Sequence, residues 1–221
     1  MTRSPDSFQA VLTGDVIDSS RLAPTDRRKL PLLLKHASRE LRKAFPLIVP
    51  FELDVFRGDS WQLVVSEPAL CVRAALFLRS SVIASGLSGQ RIDTRVAIAV
   101  ERIDFVPKGR VSEGDGPAYR ASGEALDALT DQVRMSLAAV PGASARDSSV
   151  IVRLIDAIVQ EWTGRQALAV TGRLRGWTQA QIARLWPEPV TQQTVARHLG
   201  RAHWSAVESA LLHLENSSKK L

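Results

Sequence analysis

Phe51-Glu-Leu-Asp-Val-Phe-Arg-Gly-Asp-Ser-Trp-Gln-Leu-Val-Val65 decides the fold. Phe51–Phe56 and Trp61–Val65 are short runs rich in β-branched and aromatic residues, and Arg57-Gly58-Asp59-Ser60 between them carries turn chemistry, so the segment is a hairpin. Upstream, Phe8–Thr13 is an apolar strand that turns at Gly14-Asp15. Ala23-Pro24-Thr25-Asp26 then opens a helix with Leu30, Leu33, Ala37, Leu41 and Phe45 at helical spacing. Downstream, Glu67-Pro68 starts a second helix carrying Val72, Leu76 and Ile83, and Thr94–Glu101 alternates as a further strand. After a loop from Pro107 to Pro117, Ala118–Val140 reads as helix.

Strand, helix, hairpin, helix, strand, then helices only: this order predicts an α+β protein, with a sheet carrying helices on one face and an all-α segment after it. Pro141–Ser149 is the expected linker, which divides the chain into 1–140 and a helical part, 150–221. Val150, Ile151, Leu154, Ile155, Ile158 and Trp162 make the latter's first helix.

The chain has 221 residues and a net charge of +6. From Arg165 onward there are eight Arg or Lys and three Glu, so five of those six charges fall in the last quarter, where a polyanionic partner would be met. No apolar run reaches the roughly 18 residues of a membrane span, and no leader-like start is visible, so a cytoplasmic protein is expected. A single cysteine, Cys71, excludes a disulfide framework and a zinc knuckle. His36, His198, His203 and His213 lack metal-ligand spacing, and neither a P-loop nor a serine elbow is present.

The segment Arg165–Glu215 predicts a helix-turn-helix. Thr178-Gln-Ala-Gln181 is a capping box, Trp186-Pro187-Glu188-Pro189 bars helix continuation, and Thr191 caps a second helix. Thr191, Gln192, Gln193, Thr194, Arg197, His198 and Arg201 are the expected DNA contacts, since Gln pairs with adenine and Arg with guanine in the major groove. An ordinary helical hairpin is the plainer alternative. The stretch resembles region 4 of sigma factors, with a longer, proline-rich connector; duplex DNA is the partner this implies, and a homodimer would suit palindromic sites.

Two acidic turns carry the remaining chemistry. A strand exit and a hairpin tip on neighbouring strands bring Asp15 and Asp59 together, and with the Val16 carbonyl they form an all-oxygen set suited to Mg²⁺. Arg57 beside Gly58 is placed to approach a phosphate. Val11-Leu-Thr-Gly-Asp15-Val-Ile-Asp-Ser19-Ser-Arg21, Phe56-Arg-Gly-Asp59-Ser-Trp-Gln62 and Gly114-Asp-Gly116-Pro117-Ala118 resemble the SatD family over roughly residues 8–130. That body is in turn similar to the catalytic domain of class III nucleotidyl cyclases. The resemblance implies a palm-like (ferredoxin-like) sheet, Asp15 and Asp59 as metal ligands (catalytic in an active enzyme), and a nucleoside triphosphate or other nucleotide near Arg57, Gly58 and Gly116. Cyclases carry an Asn and an Arg on the following helix; Ala118–Leu126 has no Asn, and Arg120 is out of register, which implies binding without cyclase turnover. A metal-dependent cyclase or nucleotidyltransferase localised by its tail is the alternative, and a ligand-free dimerisation platform a third.

Overall fold

In the computed structural model, which describes residues 8–86, 89, 91–107, 109–141 and 145–218, the first strand is β1 (Gln9–Val16). Ala10, Leu12 and Val16 point to one side and Val11 and Thr13 to the other, and all five are buried. A strand buried on both faces must be covered on both. The short α1 (Pro24–Arg27) leads into α2 (Leu30–Ala44), whose Leu30, Leu34, Ala37 and Leu41 are buried. The hairpin is β2 (Asp54–Phe56) and β3 (Ser60–Val65). Then come α3 (Cys71–Ala84), β4 (Thr94–Glu101), α4 (Pro117–Asp127) and β5 (Met135–Ala138).

The sheet order is β2-β3-β1-β4-β5; the first four strands pair antiparallel and β5 joins β4 in parallel. Strand, helix, two strands, helix, strand in this order is the ferredoxin-like arrangement, so the expected α+β class is met.

Three expectations are corrected. Helices cover both faces of the sheet, not one. α2 and α3 pack with Leu12, Leu63 and Ile98, while Ala118 and Tyr119 of α4 pack with Val11 and Val64 on the opposite face. The Thr13 and Ser122 hydroxyls meet there at 2.8 Å, and Gln62 Nε2 donates to Thr13 Oγ1 at 3.0 Å. Next, Ala118–Val140 is not one helix: α4 ends at Asp127 and Met135–Ala138 is the fifth strand. Finally, β1 runs through Val16, so Asp15 is not at a turn but pairs with Ser60 on one side and Arg95 on the other.

The rest of the chain is helical: α5 (Ala145–Gln160), α6 (Gly164–Leu174), α7 (Gln179–Ile182), α8 (Gln192–Arg201) and α9 (Trp204–Ser218). Ala145–Ser149, expected in the linker, form the start of α5. α3 explains how this part attaches. Eleven of its 14 residues are buried, so it is apolar nearly all round and needs cover on two sides. The sheet gives one side and α6 the other: Thr171 Oγ1 of α6 donates to Ser80 Oγ at 3.0 Å, and Ala167, Val170 and Leu174 share a core with Phe77 and Leu78. Arg175 closes the seam, lying over the rings of Phe77 (5.3 Å) and Trp177 (4.7 Å) and pairing with Glu40 of α2 at 3.2 Å. Among the described residues no helix is long and apolar enough to cross a membrane.

Candidate ligand cleft and nucleic-acid interface

Where β1 leaves the sheet, an open cavity of about 370 Å³ is lined by Asp15, Val16, Ile17, Asp18, Arg21, Arg95, Thr130, Asp131 and Arg134. A second cavity shares Ile17, Asp18, Arg21 and Arg134 with it and extends to Arg91 and Asp93. The fifth strand creates this cleft, because the α4–β5 connection supplies Thr130, Asp131 and Arg134.

Both oxygens of Asp15 are engaged by one guanidinium: Arg95 Nε donates to Oδ1 at 2.9 Å, and its terminal nitrogen to Oδ2 at 2.5 Å. Asp15 accordingly raises the Arg95 pKa, with partial burial working against it. The Gly14 before it is dictated by packing. A side chain there would collide with the Trp61 ring and the Arg95 carbonyl. Trp61 itself is fully buried and donates from Nε1 to Thr94 Oγ1 at 3.0 Å.

The segments that carry Asp15 and Asp59 are neighbours, for the Val16 amide donates to the Asp59 carbonyl at 3.2 Å. Their carboxylates take different partners. Asp59 accepts the Ser19 hydroxyl and does not line the cleft, while Asp15 does. Among the described residues no group of three His, Cys, Asp or Glu assembles that could hold a metal ion. With a cation already on both Asp15 oxygens, this donor set as arranged does not fit magnesium. Arg57 and Gly58 occupy the hairpin loop with positive φ (52° and 89°), away from the cleft lining. Gly116 also lies outside it, and its role is steric: at φ 137° a Cβ would come within 2.6 Å of the Asp104 amide. Arg120 pairs with Asp115 at 2.6 Å, past the far end of β4 from Arg95.

Sequence reasoning missed the ionic network behind the cleft. Arg79 is fully buried, bonded to Asp93 by two nitrogens (2.8 and 3.0 Å) and to Asp156 of α5 at 2.5 Å. Arg91 and Arg134 each reach Asp93 Oδ2 at 3.1 Å. Burial alone would raise the Asp93 pKa, but Arg79 and then Arg91 outweigh it and hold the carboxyl below its ordinary range. Arg79, the second of two arginines inside the otherwise largely apolar run Cys71–Ala84, was the available signal.

At the other end of the molecule α8 stands on Val195 and Leu199, both buried, and leaves Gln192, Gln193, Arg197 and Arg201 exposed. Thr191 caps it, its Oγ1 accepting the Thr194 amide at 3.2 Å, so both threonine hydroxyls serve the helix start. His198 stacks on Trp186 at 5.7 Å. Burial first, then Arg197, Arg165 and Arg201, lower its pKa. The element before it is slighter than expected: α7 has four residues and continues as a 3-10 turn, Ala183–Leu185, whose Ala183 carbonyl accepts the Val190 amide at 3.1 Å. Two of the basic residues counted earlier are already paired, Arg173 with Glu208 and Arg175 with Glu40.

No protein-family model matches the chain, and no curated protein matches it. Similar solved structures are nucleotidyl cyclases. The guanylyl cyclase Cya2 is 13% identical over 59% of this chain and 74% of that one, with a TM-score of 0.45. A bacterial light-regulated adenylyl cyclase is 15% identical over 59% of this chain and 43% of that one, at 0.41; another structure described in the same terms is 12% identical over 59% and 75%, at 0.40. The fold assignment rests on the strand order and register above.

Proposed function

We propose that this chain is a DNA-binding regulatory protein in which α8 enters the major groove of duplex DNA and the cleft at the β1 exit receives a nucleotide. The observation that carries the reading is the outer face of α8: two amides and two guanidiniums, exposed and without ion-pair partners among the described residues, on a capped helix seated on Val195 and Leu199. Arg21, Arg95 and Arg134 in the cleft are the groups that would meet the ligand's phosphates.

The test is anisotropy of the full chain on duplexes selected from a random pool. Binding is expected to weaken steeply with salt through counterion release, and Arg197→Ala or Arg201→Ala to lower the slope of log K against log salt by about 1 for each phosphate contact removed. Gln193→Ala is expected to cost about 1–3 kcal/mol on the selected site and little elsewhere. Absence of binding even at about 50 mM salt would overturn the reading.

A metal-dependent nucleotidyl cyclase or nucleotidyltransferase is the second reading, favoured only by Asp15 lining the cleft. It requires Arg95 to release Asp15. Pyrophosphate release from triphosphates with Mg²⁺ or Mn²⁺, abolished by Asp15→Asn, would establish it; no release leaves the binding protein.

A further inference from the structure

Positive charge is concentrated in two stretches of the chain. Residues 26–44 hold seven Arg or Lys against Asp26 and Glu40, a net +5. The segment from Arg165 onward also carries +5 and the whole chain only +6, so the remainder is net negative. Helix α2 gathers the first stretch on one face. Its apolar side, Leu30, Leu34, Ala37 and Leu41, is buried, and at about 100° per residue the opposite side carries Leu32, Lys35, His36, Arg39, Arg42 and Lys43. Little cancels this charge. Glu40, the one acid of the helix, lies on its flank and serves two cations, Lys43 at 2.8 Å and Arg175 at 3.2 Å. Arg39 meets Glu52 only at 3.8 Å, with side chains 55% and 44% exposed, and such a pair contributes little. Lys35 and Arg42 have no ion-pair or hydrogen-bond partner among the described residues.

A face of this kind fits a polyanion, and its place in the fold favours the one that α8 would hold. Arg175, paired with Glu40, closes α6 and stands three residues before Thr178, the cap of α7. In a helix-turn-helix the first helix crosses the sugar-phosphate backbone while the second enters the groove. α2 thus borders the start of the helix that would meet those phosphates. Its 15 residues, about 22 Å long, would lengthen the contact by roughly six base pairs. A lipid surface fits less well. A helix lying on a membrane sinks its apolar face into the acyl boundary, whereas the apolar face of α2 is in the core and leaves Leu32 as its exposed large apolar residue.

We propose that the outer face of α2 is a second contact to the duplex that α8 reads, taking its phosphates through Lys35 and Arg42. The contact rests on α8 as the DNA-reading helix. It adds affinity and orientation without base readout, because phosphates carry no sequence information directly.

Anisotropy of the full chain on the selected duplex and on one of unrelated sequence tests the face separately from α8. Lys35→Ala combined with Arg42→Ala is expected to lower the slope of log K against log salt by about 2, with an unchanged circular dichroism spectrum. Both duplexes should weaken by the same factor, so the preference between them stands. The control removes two cations near α4, on the opposite face of the sheet: Arg110→Ala combined with Arg120→Ala should leave the slope as it is. Trimming the duplex from its ends should lower the slope of the wild type by the same amount and that of the α2 variant no further. An unchanged slope in the α2 variant, or an equal fall in the control, would overturn the α2 contact and leave α8 in place. An unchanged slope together with lost binding to phosphatidylserine vesicles would give the face to a lipid surface instead. A chain that binds no duplex at about 50 mM salt would remove the DNA reading and this contact with it.

Discussion

Gly14 stands where β1 crosses the indole of Trp61, and the crossing is so close that the strand has no room for a methyl group. Gly14→Ala is expected to destabilise the chain by about 1–3 kcal/mol, the usual cost of overpacking a core, read as a lower urea midpoint at unchanged m-value. Unchanged stability would mean that Trp61 yields more easily than its buried position implies. At the other end, burial first and then Arg197, Arg165 and Arg201 lower the His198 pKa and so favour the neutral imidazole. If α8 binds DNA as proposed, the phosphates would offset that field and favour the imidazolium, whose ordinary pKa is about 6.5. DNA affinity is therefore expected to rise as the pH falls from about 7.5 to about 6, beyond any change in His198→Gln; identical pH profiles for the two proteins would remove His198 from the interface. Cys71 has no comparable part, since burial pushes its thiol up to about 12 and leaves it inert.

At the scale of elements, α3 is the hub, with Arg79 as its one buried charge, joined to Asp93 at the start of β4 and Asp156 on α5. Arg79→Leu takes the buried cation from Asp156 and leaves Asp93 with only Arg91 and Arg134, a change that typically costs about 3–5 kcal/mol. Asp93 ionises more readily folded than unfolded. Its contribution is whole above about pH 4 and is lost as the pH falls further, through its lowered folded value. The wild type should lose stability below about pH 4, and the variant should lose less over the same window, as urea titrations at each pH would show; parallel curves would place the acid sensitivity elsewhere.

Much of this layer was legible in the sequence because period and punctuation agree there. The Arg-Gly-Asp turn between two β-branched runs gave the hairpin, and the Thr-x-x-Gln box gave the start of α7. β5 was not legible. Its four residues, Met135-Ser-Leu-Ala138, follow helical apolar spacing closely enough to extend α4, and what makes them a strand is the open edge of β4, a partner forty residues away. The cleft shares that failure, because Arg134 and Asp131 reach it only through β5. Asp15 and Asp59 were expected at neighbouring turns and lie on neighbouring segments, Asp15 inside β1, but Arg95, which takes both Asp15 oxygens, is recognisable only once β4 is known to lie beside β1.

The whole molecule is organised by one apolar cluster that runs from Leu12 and Ile98 in the sheet, through Phe77 and Leu78 on α3, to Val170 on α6 and Val195 on α8. The DNA-facing helix thus rests on the same core as the sheet, and each part supplies surface the other needs to bury. Burial of apolar side chains contributes roughly 25 cal/mol per Å², so cutting the chain between β5 and α5 would uncover the sheet-side face of α6, Ala167, Val170 and Leu174, at once. A fragment of residues 145–218 is accordingly expected to keep helical signal yet melt broadly, whereas the full chain melts in one cooperative transition. Scanning calorimetry and circular dichroism on both would decide the matter. A sharp, two-state transition in the fragment would show that α5–α9 forms its own core and does not depend on α3 for it.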